Sequence, residues 1–318
     1  MRQRRFALIS TIVVSLATAT VPGVADGIFQ DGFEECGAGR WSSGNPSPQP
    51  EQITGLLPLV LAEALGACAP SLTGAEFRLA DGSLPAAPDL TAMSDQQSAI
   101  LASFGTGGMA PTAGGAMIAL SSGTARDAAH AGFVPPQSGT AFGRSSAGPG
   151  VFMSAHGNSF PGATGCGNAP NVTHDSVVLR LTFTVPAGAD RLAFDWRMID
   201  SNFPEWVCSI SIDYFLGIVI AGTHPSLPVD RNVVLDSAGR PASVDSVDMV
   251  ICTGCPSGDG PLAGTGYAQN DSAATLWRTA YASVIGGETI VLDLAAFDVG
   301  DGFWDNLILL DGLRWIWD

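Results

Sequence analysis

The chain has 318 residues, 46% of them hydrophobic and only 14% charged, which allows a large core and excludes general disorder. Fourteen basic residues, every one Arg, stand against 30 acidic ones, for a net charge of −16. That balance excludes a nucleic-acid backbone or an anionic membrane surface as a partner and favours divalent cations, although acidity also serves solubility alone.

The N-terminus reads as a secretory signal over residues 1–25. Arg2, Arg4 and Arg5 form its charged region, Phe6 to Leu16 its apolar region, and Gly23-Val24-Ala25 a cleavage site before Asp26, with Ala17-Thr18-Ala19 as a second site. The apolar run is too short for a comfortable span, and no later segment reads as one, so no membrane span is expected in the mature chain. Residues 26–50 read as an acidic and aromatic segment followed by a Gly/Ser/Pro linker, and residues 51–318 as a single domain. The expected location is secreted: extracellular, periplasmic or at the cell surface.

The elements then follow in order. Leu56 to Leu65 carries Leu57, Val60, Leu61, Ala64 and Leu65 at helical spacing, with Gly66 as a stop. A short helix is expected near Asp95 to Phe104, a buried strand at Met117 to Leu120, and a weakly patterned Gly/Pro/Ser-rich loop over 132–172. From there the period becomes two. Val177, Leu179, Leu181 and Phe183 alternate with Val178, Arg180, Thr182 and Thr184. After Pro186-Ala187-Gly188, Leu192, Phe194, Trp196 and Met198 form a second such face. Further strands are expected at Ser209–Ile220, Asn232–Leu235, Val247–Cys252, Thr289–Leu294 and Asn306–Leu310, with Leu313–Trp317 as a last one. Many strands without a βαβ rhythm predict a mostly β fold, an antiparallel β-sandwich of jelly-roll type with one or two short helices.

The six cysteines, Cys36, Cys68, Cys166, Cys208, Cys252 and Cys255, are even in number, and export favours disulfides whose pairing the sequence leaves open. Cys252-Thr253-Gly254-Cys255 reads as a structural bridge rather than a redox or zinc motif, because no second CxxC and no thioredoxin-like pattern accompany it.

Several segments occur in a telling order: Ala64-Leu65-Gly66-Ala67-Cys68, Ile100-Leu101-Ala102-Ser103-Phe104-Gly105, Met117 to Ala125, Asp175 to Leu179, Phe203-Pro204-Glu205-Trp206-Val207-Cys208, and Asp298 to Trp315. Together they resemble the choice-of-anchor L domain of bacterial exported proteins, over roughly residues 53–317. The resemblance implies export and a β-rich module at or beyond the cell surface; it implies no reaction. Where that family usually has Asn-Asp, this chain has Ile212-Asp213.

Three constellations bear on chemistry. Asp298, Asp301 and Asp305 crowd one Gly-containing turn, and Glu205 and Asp213 join them if the sandwich brings their ends together. Hard cations take such oxygen donors, which points to Ca²⁺ at a dissociation constant of roughly 10⁻⁴–10⁻³ M. The competing reading is ordinary turn chemistry. Trp206 and Trp304 lie in expected loops and suit stacking on a sugar, or else plug the ends of the sandwich. Glu205 with Asp213 or Asp200 is the one glycosidase-like pairing, set against a purely structural loop. The leading expectation is a non-catalytic module for adhesion or binding to a surface glycan or protein, with calcium as a candidate stabilising ion. The alternatives are a carbohydrate-binding or carbohydrate-active protein using the Glu205–Trp206 loop, and a purely structural component.

Overall fold

A computed structural model describes residues 58–268 and 272–317. The signal, the linker and Cys36 lie outside them.

In chain order the elements are α1 (Pro58–Leu65), β1 (Leu72–Arg78), α2 (Ala87–Asp95), β2 (Ser98–Leu101), β3 (Met117–Ser121), β4 (Ser145–Ser146), α3 (Gly150–Ala155), β5 (Ser159–Phe160), β6 (Ala169–Pro170), β7 (Thr173–Thr184), β8 (Arg191–Asp200), β9 (Ile212–Ala221), β10 (Ala242–Ser243), β11 (Ala273–Ala274), β12 (Arg278–Ser283), β13 (Thr289–Val299) and β14 (Asn306–Ile316). Two antiparallel sheets face each other. One runs β1-β7-β13-β9-β10, with β4 also paired to β7; the other runs β11-β8-β14-β3-β2, with β12 also paired to β8. This is the expected β-sandwich, with three short helices among the described residues.

The period-two faces explain the packing. Val177, Leu179, Leu181 and Phe183 of β7 and Leu292, Leu294 and Ala296 of β13 point inward from the first sheet. Leu192, Phe194, Trp196 and Met198 of β8 and Ile308 and Leu310 of β14 meet them from the second. Alternate residues along a strand share one face, so each strand contributes every second side chain to this core. Helix α1 buries Leu61, Ala62, Ala64 and Leu65 in the same core. It ends at Gly66, whose φ of +111° is left-handed and where a Cβ would lie 2.8 Å from the Leu313 carbonyl oxygen. Only glycine fits both constraints.

The outer faces are also covered. Helix α3 and the β5–β6 hairpin lay Phe152, Met153 and Phe160 over Tyr214 and Phe297. Segments around Phe104, Met109, Ile251 and Tyr267 cover the outward face of β8 and β14. On the outside of the first sheet, the Nε and Nη2 groups of Arg180 each donate to an oxygen of Asp293 on the neighbouring strand, both at 2.7 Å.

Several expectations need correction. The helix placed near Asp95–Phe104 is instead α2, ending at Asp95, and Ser98–Leu101 is a strand paired with β3. Pro88 at the start of α2 was its helix signal, since proline suits the first turn. The 132–172 segment is not a bare loop but carries β4, α3 and the β5–β6 hairpin as a cover. Asn232–Leu235 and Val247–Cys252 form only isolated bridges. Leu313–Ile316 extends β14 rather than adding a strand. Strands β1 and β12 had no clear alternation; they are edge strands, half-buried on much of their length.

Two disulfides join described residues, Cys166–Cys208 and Cys252–Cys255. Cys68 is bridged as well, and no described cysteine is free. Among the described residues no helix is long and apolar enough to cross a membrane.

Candidate functional site

The inward faces of the central strands change character at one end of the sandwich. One step beyond Met198, β8 places Asp200 inward. One step beyond Ala296, β13 places Asp298 there. Asp213 lies two residues before Phe215 on β9 and Asn306 two before Ile308 on β14, while Asp175 joins from a bulge in β7, where its φ is +47°. The apolar core is therefore capped by a polar layer contributed by five strands. All five residues are at most 2% exposed. The register ties them in pairs: Asp298 lies opposite Asp213, and Asn306 opposite Asp200. Side chains directly opposite on antiparallel strands have Cβ atoms about 4.5–5.5 Å apart. Asp305, 1% exposed, joins from the turn before β14. A Cβ on Gly123 would fall 1.8 Å from an Asp305 oxygen, so that carboxylate requires glycine at this position.

Some of these carboxylates are well held. Asp175 accepts from the Phe142 and Arg144 backbone N–H groups at 3.1 and 3.3 Å, Asp305 from Thr140 at 3.1 Å, and Asp200 Oδ1 from Asn202 at 2.7 Å. Others are not. Asp200 Oδ2, Asp213 Oδ2, both Asp298 oxygens and Asn306 Oδ1 are buried without a hydrogen-bond partner. All five are acceptors. The Ser122 hydroxyl lies close enough to favour the charged form of Asp298, but falls short of hydrogen-bond geometry to either oxygen. An unmet buried acceptor costs roughly 1–3 kcal/mol, and more if it is charged.

Burial is the main electrostatic influence, and the carboxyls add to it by repelling one another. Desolvation pushes Asp200 up to about 8 and Asp305 up to about 7, the second also raised by the charge of Asp175. Asp213 and Asp298 are driven well above the usual carboxylate range by desolvation and then by their acidic neighbours. The guanidinium that faces this layer is Arg144. It donates to the Asp175 and Ser176 carbonyls and to Gln97 Oε1, and pairs with Asp89 at 3.6 Å. Desolvation lowers its own pKa. One cation thus stands against five carboxyls, and it is already engaged with Asp175 and Asp89.

The loops above this layer are 201–211 and 300–305. The Cys166–Cys208 bridge ties the first to the β5–β6 hairpin, and Asp245 accepts from both Cys208 and Ala163 backbone N–H groups, at 2.8 and 3.1 Å. Gly300 lies against Ile210: a Cβ there would be 2.7 Å from the Ile210 carbonyl oxygen. Trp206 (37%), Val207 (39%), Ile210 (62%) and Phe303 (56%) are exposed on these loops.

Of the expected metal ligands, Asp213, Asp298 and Asp305 come together in the buried layer. Asp301 is partly exposed and accepts from the Phe303 N–H at 3.2 Å, and Glu205 lies on the exposed loop. Trp206 is exposed, whereas Trp304 is half-buried and Phe303 presents the open ring beside it. Sequence reading had Asp175 and Asn306 only within the segments of the resemblance, not as site residues, and placed Asp200 only as a partner of Glu205. Among the described residues, no three His, Cys, Asp or Glu side chains form a group that could hold a metal ion as they stand.

No family model, curated protein or solved structure matches the chain.

Proposed function

We propose that the chain is an exported, non-catalytic module that works by adhesion or binding at the cell surface, through the loop end of its sandwich. The observation that carries this reading is the set of exposed apolar side chains, Trp206, Val207, Ile210 and Phe303, on two adjoining loops, one of them fixed by a disulfide. Single exposed apolar residues are ordinary, but a group on one rigid end suits a binding face. The disulfides and the signal-like N-terminus support export, and the resemblance to choice-of-anchor L domains supports a surface module. Against catalysis, Asp200 and Asp213 are fully buried while Glu205 is exposed, so they do not present two carboxylates to one solvent-open substrate.

The second reading is carbohydrate binding by the same loop, favoured by an exposed indole beside a carboxylate at Glu205–Trp206. Aromatic faces stack on sugar rings, and an adjacent carboxylate accepts from sugar hydroxyls. The test is binding of the mature protein to immobilised surface glycans and cell-wall proteins, with a parallel polysaccharide hydrolysis panel. Binding without turnover is expected. Trp206→Ala and Phe303→Ala should each weaken it about tenfold, equivalent to ~1.4 kcal/mol, without unfolding the protein. Release of reducing ends, or binding undiminished in both variants, would contradict the proposal.

A further inference from the structure

We infer that the buried end of the sandwich is a calcium site in which Asp213 and Asp298 supply the carboxylates and Asn306 the amide oxygen. The site does not depend on what the loops above it bind.

The first argument is the type of atom left over. The five orphaned oxygens of this layer can only accept when the carboxylates are charged. An ordinary buried polar network would place hydroxyl or amide hydrogens among them. The Ser122 hydroxyl accepts from the Asn306 N–H at 3.0 Å, and its single hydrogen can serve at most one of the five oxygens. Charged acceptors packed this closely call for a positive charge beyond Arg144, whose Nη2 is held by the Asp175 and Ser176 carbonyls and whose Nη1, 3.6 Å from Asp89, makes no hydrogen bond.

The second argument is independent of acidity. Asn306 is fully buried, and its Nδ2 donates to the Tyr214 carbonyl at 3.3 Å and to the Phe297 carbonyl at 3.2 Å. Tyr214 follows Asp213 and Phe297 precedes Asp298, and these two pairs are neighbours in the ladder. The amide is thus pinned across the gap between the sheets, beside the two carboxylates. Its oxygen has no partner. A bare neutral amide oxygen held beside two carboxylates is a normal calcium ligand.

The third argument selects the ion. The donors are all hard oxygens; no Cys or His is among them, which disfavours zinc. Only two carboxylates are adjacent, in keeping with the lack of a three-carboxylate group. The remaining ligands would have to be amide, carbonyl or water oxygens. Calcium accepts such mixed sets in irregular geometry, whereas magnesium demands a near-ideal octahedron and keeps most of its water.

The test uses the full mature chain after treatment with EDTA. Calorimetric titration with CaCl₂ should show one ion per chain, with a dissociation constant on the order of 10⁻⁴–10⁻³ M. In ~10 mM CaCl₂, near 100-fold above the tighter end of that range, Tm should rise by roughly 5–10 °C. Asp298→Asn keeps the shape and removes one charge. It should lose the calcium response while matching or exceeding the wild-type Tm in EDTA, because it relieves repulsion. Asp301→Asn and Glu205→Gln should keep the full response, since those side chains lie outside the layer. No heat and no Tm shift in the wild type would overturn the inference, as would an undiminished response in Asp298→Asn. If Asp298→Asn fails to fold, the wild-type titration decides alone.

Discussion

Replacing Cys166 and Cys208 together with Ala is expected to destabilise the protein by about 4 kcal/mol, whereas the same change at Cys252 and Cys255 should cost about 2 kcal/mol or less. The bridges close loops of very different length, with sequence separations of 42 and 3. In the chain-entropy account, the longer loop restricts the unfolded ensemble more. The Cys166–Cys208 bridge also holds the 201–211 loop to the cover over the first sheet, next to the two hydrogen bonds accepted by Asp245. Its loss should therefore weaken ligand binding as well as stability, while loss of the short bridge should leave binding intact. Urea midpoints of the two double variants, compared at equal m-value, measure the difference. Equal destabilisation would mean that the long loop gains nothing from being tied.

The second large effect lies in the core. Trp196→Ala should cost ~3–5 kcal/mol, and lower Tm by roughly 10–15 °C. Trp196 is fully buried between the sheets, with its ring centroid 5.8 Å from that of Phe215 on the facing sheet. Truncation leaves a cavity that two hydrogen-bonded sheets cannot close. Trp206→Ala, on the exposed loop, should stay within about 0.5 kcal/mol of the wild type. Thermal unfolding of the two variants side by side checks both. Comparable losses would place Trp206 in the packing of the loop end instead of on its binding face.

The sandwich was legible because its central strands are half-buried and alternate cleanly. The Val177–Phe183 and Leu192–Met198 faces appear in the structure as inward rows of β7 and β8. What could not be read has physical reasons. Edge strands such as β1 and β12 are half-buried on much of their length, so no apolar phase marks them. The 132–172 segment folds by packing Phe152, Met153 and Phe160 onto an existing sheet, and carries little periodicity of its own.

The acidic layer is a more instructive case. Asp298, Asp301 and Asp305 drew notice as a crowded turn, yet turn spacing does not separate inward from outward residues. The strand phase does. Extending Leu292-Leu294-Ala296 by one step reaches Asp298, Leu192-Phe194-Trp196-Met198 reaches Asp200, and running the β14 phase back from Leu310 through Ile308 reaches Asn306. Asp301, between the strands, has no such phase and lies partly exposed. The signal was present in the sequence as the place where several inward rows turn polar at the same end.

In this reading the polar layer takes up calcium and thereby organises the loops that do the binding. Amide hydrogen exchange of the mature protein, in calcium and in EDTA, tests it most directly, because protection reports local opening residue by residue. The account predicts that calcium raises protection around Asp200, Asp213, Asp298 and Asn306 and in the 201–211 and 300–305 loops, and leaves the opposite end, around 185–190, unchanged. Protection that is the same in both conditions, or that rises uniformly over the sandwich, would contradict it.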